Sequence, residues 1–137
     1  MVTNFDYLKK EPEFSRFVDV AISAEKLVLI DSEASIINSR RAMEFALKWM
    51  YSVDSALEMP YRDNLQSLMN AEDYRQIVGP DIWRRMDYIR RSGNNAAHDN
   101  KKLGINVAIL CLENLFIYLD YIFYCYSDKY EERTFDR

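Results

Sequence analysis

Apolar residues return every three or four positions along most of this chain, and alternation with period two is absent over any useful length. Pro12 suits a first helical position, and behind it Phe14, Phe17, Val18, Ala21 and Ile22 predict a helix as far as about Leu29. Asp31 or Ser32 can cap the next segment, where Glu33 stands in the first turn and Ile36, Ile37, Met43, Ala46, Leu47, Met50 and Val53 recur before Pro60. A long second helix is expected there, from about Glu33 to Leu57. Tyr61 to Gly79 predicts one or two short helices, and Gly79 followed by Pro80 stops one element and starts another. Ile82, Trp83, Met86 and Ile89 then trace a stripe up to Ser92 and Gly93, where Gly93 is expected to end the helix in the left-handed conformation. A last helix is expected from Ile105 to about Tyr126.

That last helix is apolar on two sides. Ala108, Ile109, Leu112, Leu115, Leu119 and Phe123 belong to one face, while Val107, Leu110, Cys111, Ile117, Tyr118, Tyr121 and Tyr124 make a second. A helix apolar on two sides normally buries both, so something has to cover the second. The first helix, a second copy of the chain or a larger polypeptide would each serve. The expected fold class is all-α, an antiparallel bundle of about four to six helices in a single domain over residues 1–137, with Trp49 and Trp83 in its core.

Composition agrees with that pattern. The 137 residues are 49% hydrophobic and contain only three Gly and three Pro, which argues against turn-dense all-β and low-complexity designs. The net charge of -4 gives the molecule no general attraction for nucleic acid, so any such contact has to be local. Cys111 and Cys125 share one predicted helix, about 21 Å apart at 1.5 Å per residue, too far to bridge. The mixed polar stretch Met1 to Lys10 is no secretory signal, and a cytoplasmic location is expected. Ile105 to Tyr126 is long enough to cross a bilayer, but Glu113 and Asp120 stand against a membrane span.

Several chemistries are disfavoured. Gly79, Gly93 and Gly104 are too widely spaced for a phosphate-binding loop or a dinucleotide fingerprint, and a single His with two Cys makes a zinc site very unfavourable. No metal and no cofactor is expected in this segment. What remains is the stretch from Ile89 to Asp99. It concentrates Arg90, Arg91, Asn94, Asn95 and the sole histidine, His98, within a few residues, able in principle to hold a phosphate and move a proton. The structural reading of the same stretch is a helix-ending loop in which Asn94 or Asn95 satisfies loose carbonyls. Around it, Arg84, Arg85, Arg90, Arg91, Lys101 and Lys102 outnumber Asp81, Asp87 and Asp99, which makes 84–102 a candidate basic contact for nucleic acid. In the second helix, Arg40 and Glu44 stand four apart and can pair, or Glu44 can turn inward to hold an Arg or Asn of the 90–98 stretch.

Ser39-Arg40-Arg41-Ala42-Met43-Glu44, Lys48-Trp49-Met50-Tyr51, Asp63-Asn64-Leu65, Trp83, Ile89-Arg90 and Gly93-Asn94-Asn95-Ala96-Ala97-His98 together resemble a known family. It is a helical domain of unknown function at the N-terminus of type I restriction enzyme R subunits, itself similar to the HEPN class. The resemblance runs from Phe5 to Phe135-Asp136. It implies a non-catalytic accessory module placed ahead of the nuclease and ATP-driven translocase of an ATP-dependent restriction endonuclease. Its partners would be the rest of that chain, other restriction-modification subunits and nucleic acid. The polar end from Tyr130 to Arg137 would then be a linker into a following domain.

The HEPN resemblance also implies an alternative, a stand-alone metal-independent ribonuclease of a defence or toxin system. There His98 would move the proton of a 2′-hydroxyl and Arg91 would stabilise the phosphorane, usually across a dimer. Arg91 and His98 stand seven apart, at the edge of that family's spacing, and the commoner spacing puts Gly93 where the arginine belongs. This departure favours a retained scaffold over catalysis. A third reading is a homodimeric adaptor that pairs through Ile117, Tyr121 and Tyr124.

Overall fold

The computed structural model describes residues 2–98 and 104–137, and of His98 the backbone alone. Two short 3-10 segments, Asp6–Lys10 and Pro12–Phe14, lead into five α-helices: α1 Ser15–Leu27, α2 Ser32–Val53, α3 Leu65–Asn70, α4 Glu72–His98 and α5 Ile105–Tyr126. No strand occurs among the described residues, so the all-α bundle follows from the helical spacing of apolar positions. Helix α2 is the centre of the arrangement. It lies between α1 and α4 and packs on α5, which in turn packs on α4.

Local chemistry sets most helix ends. The Asp31 carboxylate accepts from the Ala34 N–H at 3.1 Å and caps α2, and Asn64 caps α3 through the Ser67 N–H at 2.9 Å. Helix α2 stops at Val53, short of the expected Leu57, because Asp54 leaves the helix at φ -100° and ψ 111° and turns its carboxylate to the Ala56 N–H. Within α4, Gly79 stands at φ 81° and ψ 167°, and Pro80 opens a second helical arm behind it. The break that Gly-Pro predicts is therefore a bend between two arms.

The second expected stop does not exist. Residues 90–98 are helical, Gly93 lies inside α4, and Gly79 is the only residue with positive φ among those described. Gly93 is required for another reason. It is the point where α4 crosses α2, and a Cβ there would stand 2.5 Å from Arg40 Cδ and 2.8 Å from Arg40 Cβ. A glycine lets the two backbones approach with the Arg40 stem lying between them.

The core is aromatic. Phe14 packs 5.2 Å from Phe17 and edge-on to Trp49 at 5.1 Å, and it reaches Phe123 of α5 at 6.0 Å. Trp49 and Trp83 are half-buried at the border of this core, less deep than expected, because each indole keeps an edge outside. Trp83 donates its ring N–H to the Met69 carbonyl at 2.7 Å, a bond that holds α3 to α4.

The apolar side of α5 that carries Phe116 and Phe123 is covered by both ends of the chain, while its second side meets α4 through Cys111, Tyr118 and Tyr121. The leading 3-10 segment places Tyr7 at 5.8 Å from Phe116 and 5.6 Å from Phe123, while the tail sets Phe135 on Phe116 and Tyr130 on Phe123. Asp120, which counted against a membrane span, accepts from both Tyr7 at 2.6 Å and Tyr130 at 2.9 Å. Tyr130 and Phe135 thus hold the polar tail against the bundle. Helix α5 is long and apolar enough to cross a membrane, and half of that stretch is buried in the bundle. Leu110 and Tyr124 remain exposed on it.

Candidate functional site

The second arm of α4 carries the polar residues singled out above, and its helical periodicity decides which of them meet. Ile89, Ser92, Gly93 and Ala96 turn inward. Asp87, Arg91, Asn94, Asn95 and His98 follow at i, i+4, i+7, i+8 and i+11, the spacing of one helix face. Arg91 and His98 are about 10 Å apart along the axis, at 1.5 Å per residue. The His98 side chain, Asp99, Lys101 and Lys102 lie outside the described residues, so the basic contact is seen only from Arg84 to Arg91.

Asp87, which the charge balance treats only as an offsetting negative, organises this face. Its carboxylate, 13% exposed, uses both oxygens: Oδ1 accepts from Arg90 Nε at 3.1 Å and Nη2 at 2.9 Å, and Oδ2 accepts from Arg91 Nε at 2.8 Å. A sheltered carboxylate requires such partners, and each arginine is pinned one helical turn away. The two guanidinium groups then differ. Arg90 is 19% exposed and serves the interior, whereas Arg91 is 72% exposed and is held by its Nε alone. Its terminal nitrogens have no ion-pair partner among the described residues.

The neighbouring charges divide in the same way. Arg85 is engaged by Asp81 Oδ2 at 3.1 Å and by Asn114 Oδ1 of α5 at 3.0 Å. Arg84 is exposed and makes no ion pair among the described residues. Asn94 is half-buried and Asn95 exposed, and neither caps α4, which runs on past both. Glu44 does not turn inward to the 90–98 stretch, nor does it pair with Arg40. It binds Lys48 Nζ at 3.1 Å, the favourable order with the acid ahead of the base. Arg40 instead lies against Gly93, and its Nε, like the adjacent Ser39 Oγ, is buried without a hydrogen-bond partner.

Behind the face, Ser92 hydrogen-bonds the buried Cys111 thiol, and burial pushes that thiol up to about 11 despite the bond. Cys111 is accordingly a packing residue beside Ile36, Ala96 and Ala108. The proposed pairing stripe of α5 is mixed. Ile117 is half-buried, Tyr121 donates to the Ile77 carbonyl at 3.3 Å, and Tyr124 is exposed. No group of acidic, Cys or His residues among those described is arranged to hold a metal ion. A wide cleft of about 690 Å³ opens elsewhere, between the first residues and the tail, where Asn4 already links Glu25 to the Asp136 backbone. It does not reach the α4 face. Comparison with protein-family models, curated proteins and solved structures gives no match for this chain.

Proposed function

We propose that the chain is a HEPN-like accessory interaction domain of the kind found at the N-terminus of type I restriction enzyme R subunits, and that it docks through the outer face of α4. The observation that carries this reading is Arg91. Its guanidinium is oriented by a sheltered aspartate yet faces solvent, which is the arrangement suited to gripping two oxygens of an anion such as a phosphate. Arg84, which makes no ion pair among the described residues, adds a cation two turns earlier on the same arm. The acceptor is the phosphate backbone of nucleic acid handled by the parent enzyme, and the chemistry of cutting and translocation resides outside this domain. An antibody against the domain should detect a native product far larger than 16.3 kDa. Fluorescence anisotropy with a short DNA duplex at low salt should show weak, salt-dependent binding that the double change Arg84→Glu and Arg91→Glu removes. Binding that survives both reversals would overturn this face as the contact.

One observation favours the ribonuclease as a second reading. Because α4 continues to His98, that position and Arg91 share a helix face about two turns apart, on one side of the bundle where a single RNA strand can meet both. Under that reading, His98→Ala and Arg91→Ala each abolish RNA cleavage while the helical circular dichroism is unchanged. Absence of cleavage by the unmodified domain removes it.

A further inference from the structure

The tail is held on the bundle differently from the leading segment beside it. Residues 130–137 form no helix or strand, and among the described residues no backbone–backbone hydrogen bond ties 128–137 to the rest of the chain. Within 130–137 only Tyr130 and Phe135 are half-buried, and the others are exposed. The leading segment, by contrast, sinks Phe5 and Leu8 completely into the core.

What the tail rests on is built by other segments. Tyr130 packs 5.4 Å from Phe123 and donates to Asp120 Oδ2 at 2.9 Å, and Phe135 packs 5.8 Å from Phe116. Asp136 gives its N–H to Asn4 Oδ1 at 2.7 Å, and its carbonyl accepts from Asn4 Nδ2 at 2.9 Å. Each of these polar partners is set in place without the tail. Glu25 of α1 accepts from the Asn4 backbone N–H at 3.1 Å and from Nδ2 at 2.9 Å, which leaves the carboxamide oxygen and one amide hydrogen for Asp136. Tyr7 takes Asp120 Oδ1 at 2.6 Å and leaves Oδ2 open. A carboxamide that pairs both backbone groups of one residue holds an extended segment, while an acceptor for a phenol and two ring contacts select its side chains. Groups oriented by their own neighbours lose little freedom when a ligand arrives.

We propose that this platform of Asn4, Phe116, Asp120 and Phe123 is a docking site for an extended peptide, that the tail is its resident occupant, and that the tail of a second copy exchanges for it. The second copy is the partner because its tail carries Tyr130 and Phe135 at the same spacing. Exchange replaces each contact by an identical one and gives up only the tether. Space is at hand on both flanks of the tail, in the cleft of about 690 Å³ beside Arg133 and Thr134 and in one of about 230 Å³ between Leu29, Ile109 and Phe135. The proposal is independent of the α4 face.

Two full-length variants separate site from occupant. Tyr130→Ala with Phe135→Ala keeps the platform and removes the occupant, while Asn4→Ala with Asp120→Asn keeps the occupant and weakens the platform. Each alone should sediment as a monomer, and an equimolar mixture at high concentration should contain a dimer. A labelled synthetic peptide of residues 127–137 should bind the first variant at least about 10-fold more tightly than the unaltered chain, whose tail competes at an effective concentration of about millimolar. Phe135→Ala within the peptide, or Asn4→Ala added to the first variant, should weaken that binding about 10-fold, the range of one lost ring contact or hydrogen-bonded pair. Arg84→Glu with Arg91→Glu should leave it unchanged. The site is overturned if the peptide fails to bind the first variant at millimolar concentration or if a scrambled peptide binds equally well. Exchange between copies is overturned if the mixture stays monomeric, or if either variant dimerises alone. Circular dichroism checks the fold of each variant, and Phe135→Ala alone serves where the double change unfolds the chain.

Discussion

At Gly79 the backbone of α4 turns to φ 81° and ψ 167° with open space where a Cβ would stand, whereas at Gly93 the backbone is helical and a Cβ would collide with Arg40. One glycine supplies a conformation and the other supplies room. The two arms they serve differ accordingly. The first arm, residues 72–78, is short and is fastened by Tyr74, fully buried, with Val78 beside it in the core. The second is long, crosses α2 at Gly93, and presents its outer side to solvent with Asp87 setting the geometry of Arg90 and Arg91. A bend can be specified by residues adjacent in sequence, but a crossing depends on what the other helix brings to it. The polar face of the second arm is consequently tied to α2 through Gly93, while the bend only decides the direction in which that arm leaves.

The anchor of the first arm should give the largest effect. Tyr74 is fully buried, its hydroxyl 2.9 Å from that of Tyr118 and 3.1 Å from Met86 Sδ, and Tyr118 donates to Met50 Sδ at 3.3 Å. Tyr74→Ala should cost about 3–5 kcal/mol in urea unfolding, and Tyr74→Phe only about 1 kcal/mol. The pair also sets an alkaline limit. Burial raises the Tyr74 and Tyr118 hydroxyls well above the ordinary tyrosine range, with Tyr51 pushed up to about 12 for the same reason. The folded state thus holds the neutral form, so this stability is complete below about pH 10, where unfolded tyrosine ionises, and declines as pH rises beyond it. Tyr74→Phe should flatten that alkaline decline. An unaltered slope would show that Tyr74 plays no part in it.

The bend comes next. Gly79→Ala meets no neighbour, so whatever it costs is conformational: about 1–3 kcal/mol for holding a residue with a Cβ in a region that essentially only glycine adopts. A neutral result would mean the arm can leave α3 by another route. Gly93→Ala should be the smallest of the three. Overpacking costs about 1–3 kcal/mol, offset by about 1 kcal/mol of better helix propensity, for a net loss of about 1 kcal/mol. In an Arg40→Ala background the loss should shrink without vanishing, because the clash with Arg40 Cδ goes while the 2.8 Å approach to Cβ remains. Stabilisation by Gly93→Ala would refute the account of the crossing and restore a purely local role for that glycine.

The same division separates what was legible from what was not. Helix α5 runs from Ile105 to Tyr126 as its apolar spacing predicts, Asp31 caps α2, and Gly79-Pro80 marks the bend. Each depends on residues within a few positions of one another. Gly93 misled because Ser-Gly-Asn-Asn has the composition of a helix stop, and nothing nearby in sequence announces that Arg40 will lie against it. Glu44 misled for a related reason: its assumed partners, Arg40 and the 90–98 stretch, were less available than Lys48 a turn ahead. For the candidate site, the basic residues were identified by type, yet the organising aspartate was not. Its spacing was the available signal, since an acid three and four residues ahead of two adjacent arginines can hold both. The tail was unreadable because Tyr130 and Phe135 are isolated aromatic residues in a polar stretch, and their contacts with α5 are long-range.

The amino-acid sequence by itself determined that the chain is helical, where most helices begin, that α4 must bend and that a basic cluster falls in its second arm. Those outcomes follow from backbone propensity, capping and periodic burial, which act over one or two turns. Only the tertiary structure decided that Gly93 lies in a helix, that Arg90 faces inward and Arg91 outward from one carboxylate, that Arg16 comes to rest on Phe45, and that both ends of the chain cover α5. These depend on which surfaces meet when α2 packs between α1 and α4, a choice made by close packing among residues far apart in the chain.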